Sequence, residues 1–173
     1  MKNNILITLL IAILACSHLM GQESSGAIYK QLEKLNFLGS ALYIAAHPDD
    51  ENTALISYFS NHVNANAAYL SMTRGDGGQN RIGTELRELL GVIRTEELMQ
   101  ARSIDNGNQY FTSAVDFGFS KHPDETLAIW DKTRILGEVV NRIRSFQPDI
   151  IITRFNTTPG ITHGHHTTSA ILA

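Results

Sequence analysis

Three short apolar runs constrain the fold of this chain more than any other feature of its sequence. They cover residues 41–46, 67–72 and 149–153, and segments with helical periodicity lie between them. A continuous apolar run of this length is typical of a strand buried in a parallel sheet. Strands that alternate with helices indicate an α/β fold built in layers. We therefore expect an α/β layered fold with a mostly parallel sheet.

The segments between the runs predict helices, because their apolar residues recur at helical spacing. We expect these helices at residues 27–38, 51–60, 84–103 and 131–146, and a further helix that starts after His166. Residues 110–119 are ambiguous and have room for one short strand. The sequence ends inside the last of these helices, so we expect a domain with its C-terminal part missing.

The first 22 residues differ from the rest of the chain. Lys2 precedes an apolar run at 5–16, and small polar residues follow at 17–22, which is the order of a secretory signal peptide. A buried N-terminal helix is the alternative. We expect an exported protein, periplasmic or secreted, with no transmembrane span in the mature chain. A helical lead-in at 23–38 and the main domain at 39–173 would follow the signal.

Cys16 is the only cysteine, so no structural disulfide can form within the mature chain. The residues before it loosely match a bacterial lipobox, which makes a lipid anchor at Cys16 the less favoured alternative. The net charge of −3 and the pI of about 6.1 give no reason to expect a nucleic-acid partner. The sequence leaves the oligomeric state open.

Polar clusters follow each of the three predicted strands, at residues 47–51, 73–80 and 154–166. In open α/β sheets, ligands bind at the carboxyl ends of the strands. We therefore expect these three loops to converge on one binding site.

The first cluster has the residue types of a metal site. His47 is followed within four residues by Asp49, Asp50 and Glu51, and imidazole and carboxylate are usual zinc ligands. A catalytic zinc needs a third protein ligand, which the segment 163–166 offers, with two of its histidines three positions apart on the first turn of a helix or just before it. The alternative is a helix N-cap, in which Asp49 or Asp50 bonds free backbone N–H groups. That alternative leaves the late histidines without a purpose.

A second segment, His122-Pro123-Asp124-Glu125, repeats part of this pattern but follows no buried strand. We interpret it as a surface turn in which Asp124 acts as a cap, without a metal role.

Four segments together resemble the PIG-L / LmbE-like family of zinc-dependent N-acetylglucosaminyl deacetylases. They are Ala46-His47-Pro48-Asp49-Asp50-Glu51, Thr73-Arg74-Gly75-Asp76-Gly77-Gly78, Ile93-Arg94-Thr95-Glu96-Glu97-Leu98 and the late His-x-x-His. The resemblance runs from about Leu38 to the end. It implies a Rossmann-like three-layer sandwich and a zinc-dependent deacetylase acting on an N-acetylated sugar or glycoconjugate.

The resemblance also implies roles for single residues. His47, Asp50 and His166 would be the zinc ligands, Asp49 the general base, and His163 the group that stabilises or protonates the tetrahedral intermediate. Amide hydrolysis agrees with these roles, because zinc lowers the pKa of its bound water and a free carboxylate beside that water can accept its proton. A positively charged His163 would face the developing oxyanion.

By the same resemblance, Arg74 and Asp116 would contact the substrate. Arg74 has the alternative role of holding the glycine-rich loop. Arg94 and Glu97 would brace the site from behind the ligands, or form an ordinary surface pair on the helix.

The late motif departs from the family pattern, which has Pro-Asp where Gly164-His165 stands here. A carboxylate that tunes His163 must then come from another loop or be absent. His165 also becomes a rival ligand, although a side chain next to His166 is expected to point elsewhere.

Two alternatives to deacetylation remain at this level. One is a sugar-binding module without catalysis, which an intact Asp49-Asp50 pair argues against. The other is a metal-dependent hydrolase of another amide or ester, such as a phosphoester or a thioconjugate amide.

Overall fold

The computed structural model describes residues 23–173. The predicted signal peptide and Cys16 lie outside the described residues. The chain divides into two units, residues 1–36 and 37–173. In the first unit, helix α1 spans Ser25–Lys34, with the Ser24 hydroxyl accepting a hydrogen bond from the backbone N–H of Ala27. The prediction of a helix to residue 38 is wrong at its end, because bonds of the i→i+3 type from Leu35 and Asn36 tighten and close the last turn.

The second unit contains a sheet of four parallel strands in the order β3-β2-β1-β4. The strands are β1 (Ser40–Ala45), β2 (Asn66–Ser71), β3 (Asn108–Phe111) and β4 (Ile150–Thr153). In the register, Tyr43 of β1 lies between Tyr69 of β2 and Ile152 of β4. The three predicted strands are confirmed. A fourth strand, β3, overlaps the start of the ambiguous segment 110–119 and ends at Phe111.

Helices connect the strands. They are α2 (Thr53–Ser57), which runs into a π-helix at Tyr58–Val63, then α3 (Glu88–Asp105), α4 (Pro123–Trp130), α5 (Lys132–Phe146) and α6 (Gly164–Leu172). Two apolar clusters cover opposite faces of the sheet. One packs α4 to α6 on Leu42, Ile44 and Leu70, and the other packs α2 and α3 on Tyr43 and Tyr69. This arrangement is the expected three-layer α/β fold.

Helix α3 begins four residues later than predicted. The side-chain oxygen of Asn80 accepts hydrogen bonds from the backbone of Ile82 and Gly83, at 3.0 and 2.9 Å, and so holds a turn. Arg87, with φ of 54°, then redirects the chain into the helix. The apolar Leu86, which counts toward the helical period in the sequence, therefore lies in the loop.

The interpretation of His122 to Glu125 as a surface turn capped by Asp124 is wrong. His122 precedes helix α4, Pro123 is its first residue, and Asp124 lies in its first turn. Proline is favoured at this position because the N–H that it lacks has no partner inside a helix. That this segment has no metal role stays a prediction.

The order of the strands positions the site. After β1 the chain builds β2 and β3 on one side, and it then returns to place β4 on the other side of β1. The loops that leave β1 and β4 therefore part at a switch point of the sheet, where α/β folds bind their ligands. Among residues 23–173, we find no helix with the length and apolarity to cross a membrane.

Candidate metal centre and active site

The loop after β1 is a tight turn held by its own acidic residue. The Asp50 carboxylate accepts a hydrogen bond from the backbone N–H of His47 at 2.8 Å, and it lies 3.2 Å from Nδ1 of the same histidine. The hydroxyl of Tyr69 donates to the carbonyl of His47 at 2.5 Å. Helix α2 is capped by Asn52. The N-cap interpretation of Asp49 and Asp50 is therefore wrong, and Asp50 is directed to the site.

Asp50 carries its charge in a largely buried place. Burial alone raises the pKa of its carboxyl group, but the hydrogen bond from His47, together with the charges of His47 and His166, outweighs burial and lowers the pKa below its usual value. The carboxylate is therefore ionised at neutral pH and available as a ligand.

Asp49 has a different environment from its neighbour. Its side chain is 74% exposed, and Nη2 of Arg94 lies 2.9 Å from Oδ2. Its φ of 88° is in the left-handed region that non-glycine residues rarely adopt. The backbone N–H of Asp49 donates to the Glu51 carboxylate at 3.0 Å, which stabilises this unusual conformation. Asp49 is thus free of the ligand cluster and presents its carboxylate to the cavity.

Helix α6 supplies the late histidines. His163 precedes the helix and His166 lies in its first turn, as predicted. Nε2 of His166 lies 3.4 Å from Oδ1 of Asp50, and its ring stacks on Phe155 with centroids 3.8 Å apart. The helix begins at Gly164 and not after His166, so the prediction of its start is wrong by three residues. Gly164 donates its N–H to the carbonyl of Ser120 at 2.7 Å and so anchors this start.

His163 lines the same cavity without the expected carboxylate partner. Its Nδ1 is buried and has no hydrogen-bond partner in the part of the chain that the structure describes. Burial, and then the charge of His47, lower the pKa of His163 against the opposing effect of Asp50 and Asp116. A neutral ring at pH 7 is the consequence, so His163 would act as a hydrogen-bond donor and would not bring a fixed positive charge.

His165 is directed to the site as well, contrary to the expectation that it would point elsewhere. It is fully buried, and its Nδ1 lies 2.9 Å from Nε2 of His47. Its ring stacks on Trp130, and Phe117 meets it edge-on at 4.4 Å between centroids. Burial, followed by the neighbouring histidines, lowers the pKa of His165 to about 3.

Within residues 23–173, two groups of side chains could hold a metal ion, and they share His47. One comprises His47, His163 and His166, and the other comprises His47, Asp116 and His165. Asp50 belongs to neither group. Its carboxylate nevertheless lies 3.2 and 3.4 Å from His47 and His166, close to the spacing of about 3.4 Å between ligand atoms on a tetrahedral zinc. These three residues therefore suit the metal, and their roles as ligands stay predictions.

A cavity of about 440 Å³ opens beside these ligands. Asp49, Asp50, His163 and Asp116 line it. Gly77 approaches Asp116 so closely that a Cβ on the glycine would lie 2.5 Å from the carboxylate, so only glycine fits there. The structure thus brings the residues predicted as ligands, as the base and as a substrate contact (Asp116) to one cavity.

Arg94 and Glu97 lie beside the loop after β1, and their bracing role stays a prediction. Arg94 donates to the carbonyl of Pro48 at 2.7 Å as well as to Asp49, and Glu97 lies 3.2 Å from its other nitrogen. A buried ion cluster, Glu51 with Arg102 and Asp105, attaches the same loop to α3.

Arg74 lies outside the cavity. Its exposed side chain donates a hydrogen bond from Nε to the hydroxyl of Thr95 on α3, at 2.9 Å. This contact ties the glycine-rich loop to the helix, which agrees with the alternative that the sequence left open. A substrate contact by Arg74 stays a prediction.

Sequence reasoning missed Gln79 and Phe119, which also line the cavity. Phe119 is 77% exposed, and its ring centroid lies 5.8 Å from that of His163. Its position three residues after Asp116 was the available signal, but it falls in an irregular segment where no periodicity predicts the direction of a side chain.

Comparisons with known proteins agree with this geometry. A mycothiol S-conjugate amidase from Streptomyces coelicolor is 27% identical over 136 residues, which are 71% of this chain and 46% of that protein. The N,N′-diacetylchitobiose deacetylase from Pyrococcus horikoshii superposes with a TM-score of 0.60 at 15% identity, over 88% of this chain and 58% of that one. GalB, the 4-carboxy-2-hydroxymuconate hydratase from Pseudomonas putida KT2440, also gives 0.60 at 18% identity, over 78% and 54%.

These two structures share the fold of this chain, which spans about half the length of the proteins that it matches. The family model described as "PIG-L: GlcNAc-PI de-N-acetylase" matches residues 42–173, and so includes every candidate site residue and the whole sheet except the first two residues of β1. The chain therefore belongs to the PIG-L family.

Proposed function

We propose that this chain carries the active site of a zinc-dependent hydrolase that removes the acetyl group from an N-acetylated sugar derivative. The observation that carries the proposal is the division of labour between two adjacent carboxylates. Asp50 is held among His47 and His166 at ligand spacing, whereas Asp49 is turned into the open cavity. A hydrolase that uses a metal and a separate base needs both arrangements.

The residues would share the reaction as follows. A zinc ion bound by His47, Asp50 and His166 would supply Lewis acidity and an acidified water. Asp49 would accept a proton from the attacking water and later deliver it to the leaving nitrogen. His163 would donate a hydrogen bond to the oxygen that gains charge as the carbonyl is attacked, a contribution typically worth about 3 kcal/mol.

Arg94 prepares Asp49 for this role. Its guanidinium lies against the carboxylate at 2.9 Å and also holds the carbonyl of the preceding Pro48. The base is therefore held in one direction before substrate arrives.

The related proteins support the substrate class. The family description names a de-N-acetylase, and the Pyrococcus horikoshii neighbour is a deacetylase of N,N′-diacetylchitobiose. Asp116 and the exposed ring of Phe119 at the cavity mouth suit the hydroxyls and the apolar face of a sugar.

A second candidate is the hydrolysis of another amide. The Streptomyces coelicolor relative is an amidase that acts on mycothiol S-conjugates. The same ligands and base would serve, and only the contacts around the cavity would differ.

We also propose that the protein is exported, on the basis of the order of charged, apolar and small residues at positions 1–22. Cleavage of these residues on secretion by a bacterial host, read by mass spectrometry of the mature protein, tests this proposal. Recovery of the uncleaved chain in the cytoplasm would contradict it.

Asp49→Asn tests the function. The amide keeps the size of the side chain but accepts no proton, so acetate release from N-acetylglucosamine derivatives should fall by about 10²- to 10⁴-fold. Asp124→Asn is the matched control, because Asp124 has a similar local sequence but lies on α4 outside the cavity. It should keep the activity of the parent chain.

The same assay separates the candidates. Parallel measurement with a cysteine-sugar amide conjugate identifies the second candidate if only that substrate is cleaved. If zinc is bound but Asp49→Asn hydrolyses either substrate as fast as the parent, the assignment of the base is wrong. Sugar binding without turnover in the zinc-loaded parent would indicate a binding module.

A further inference from the structure

His47 is in contact with different partners at its two ring nitrogens. Nδ1 lies 3.2 Å from the Asp50 carboxylate, on the side where His166 also approaches Asp50. Nε2 lies 2.9 Å from Nδ1 of His165. Only one proton can lie between those two nitrogens, so one ring must donate and the other must accept.

Asp116 does not take the place of His165 as the partner of His47. Its carboxylate oxygens lie 3.9 Å from Nε2 of His47 and 3.7 Å from Nδ1 of His165, beyond hydrogen-bond distance. Its Oδ1 already accepts the backbone N–H of Gly118 at 2.9 Å. The near partner of Nε2 is therefore the neighbouring imidazole.

The surroundings of His165 hold its ring in place. It is fully buried between Trp130 and Phe117, and its second nitrogen, Nε2, has no hydrogen-bond partner within residues 23–173. Because Trp130 and Phe117 enclose the ring, its charged form would be poorly solvated. A neutral ring has one bare nitrogen, which can accept a hydrogen bond.

We infer that in the zinc-loaded protein His165 is a positioning residue that accepts the Nε2–H of His47 and so favours the tautomer in which the bare Nδ1 of His47 binds the metal. The inference rests on the metal site of the proposed function. Histidines that ligate metals commonly donate their other N–H to a carboxylate, a carbonyl or water, and this partner orients the ring. Here the partner is a neutral imidazole next in sequence to the ligand His166.

One consequence distinguishes this arrangement from a carboxylate partner. A neutral acceptor attracts the Nε2–H proton of His47 less strongly than a carboxylate would. The imidazole of His47 is then a weaker electron-pair donor to the metal. The metal then keeps more positive charge for the reaction. His166 would thus bind the zinc directly, and its neighbour His165 would act on the same ion through the other ring nitrogen of His47.

The test measures zinc affinity by competition with a chromophoric chelator in the full chain. His165→Phe keeps a flat ring beside Trp130 but removes the acceptor, and the Kd for zinc should rise by about 10- to 100-fold. His165→Asn should recover most of the affinity, because the amide oxygen lies two bonds from Cβ, as Nδ1 of histidine does. His122→Phe, a change of the same kind at an exposed position, should leave the Kd unchanged.

A spectroscopic signature separates positioning from packing. In the zinc-loaded parent, ¹⁵N resonances should show His47 protonated at Nε2 and His165 as a neutral ring with Nδ1 bare and hydrogen-bonded. Resonances that show zinc on Nδ1 of His165 would overturn the inference, because His165 would then be a ligand. The absence of zinc binding by the parent, or equal Kd values for His165→Phe and the parent, would overturn it too. If the Kd responds as expected but no acetyl sugar is cleaved, the inference stands and the proposed function fails.

Discussion

The two sides of His47 set the electrostatics of the site. One side faces the ionised Asp50, and the other faces the neutral, fully buried His165. Desolvation disfavours positive charge on the histidines of α6, and it lowers the pKa of His166 to about 4 and that of His165 to about 3. At neutral pH the metal-free cluster therefore holds the negative charge of Asp50 beside two neutral imidazoles, which favours a divalent cation.

The lowered pKa values make the stability of the metal-free protein depend on pH. In the unfolded chain these histidines titrate near 6.5, so between that pH and about 3 the unfolded state binds more protons than the folded state. Stability is thus complete above pH 6.5 and is lost as the pH falls. For His165 the slope approaches about 1.4 kcal/mol per pH unit.

Urea unfolding of the metal-free chain at pH 7, 6 and 5 measures this slope. His165→Asn, which does not titrate, should reduce the slope by about one proton, whereas His122→Asn at an exposed position should keep it. Equal slopes in His165→Asn and the parent would contradict the assignment.

The sequence predicted the residues of the site better than their contacts. His47, Asp50 and His166 were predicted as ligands from the family resemblance, and their positions after a predicted strand or next to a predicted helix agree with it. The direction of His165 could not be predicted, because neighbours on a helix diverge by about 100°. His47 reaches both, since its two nitrogens face opposite ways.

The packing of two helices determines where the late histidines lie. Helix α6 starts against α4, where a Cβ on Gly164 would lie 2.5 Å from the carbonyl of His122. The sequence shows that Gly164 departs from the family pattern. It does not show that the carbonyl of His122 lies beside this glycine, because the contact joins segments that are far apart in the chain. The start of α4 at Pro123 was missed although proline followed by Asp124 and Glu125 is a local signal for the start of a helix.

Gly164→Ala should therefore destabilise the fold by about 1–3 kcal/mol through overpacking. It should also displace His165 and His166, and so weaken zinc binding. Gly137→Ala is the matched control, since Gly137 lies inside α5 with nothing within 4 Å of the added Cβ. Replacing that glycine should stabilise the helix by about 0.5–1 kcal/mol.

Urea unfolding of both alanine variants, together with zinc titration, checks this pair. A gain in stability from Gly164→Ala that matches the gain from Gly137→Ala would show that α4 and α6 are not in close contact.

The whole molecule brings the two ends of the domain's sequence together. His47 follows β1, near the start of the second unit, and His166 lies on α6, near its end. The sequence predicted layers and a parallel sheet from its alternating elements, but not the order β3-β2-β1-β4, because apolar runs do not encode their neighbours. That order puts the loops of β1 and β4 side by side.

Zinc should consequently stabilise the fold, because it would join two segments that are far apart in the sequence. At free zinc about 1,000 times the Kd, binding adds about 4 kcal/mol, which for a domain of this size raises the Tm by roughly 8–16 °C. Calorimetry with zinc and with excess EDTA measures the difference. Asp50→Asn, which loses the carboxylate between the two histidines, should abolish most of the shift. A Tm that zinc leaves unchanged in the parent would contradict this prediction.

Asp49 keeps a backbone conformation, with φ of 88°, that costs a non-glycine residue about 1–3 kcal/mol. A glycine there would relax the chain and stabilise the fold, but it would remove the carboxylate that faces the cavity. Stability and reactivity therefore oppose each other at this one position. Stabilising the protein by relieving its strain would start at the residue that the proposed reaction can least lose.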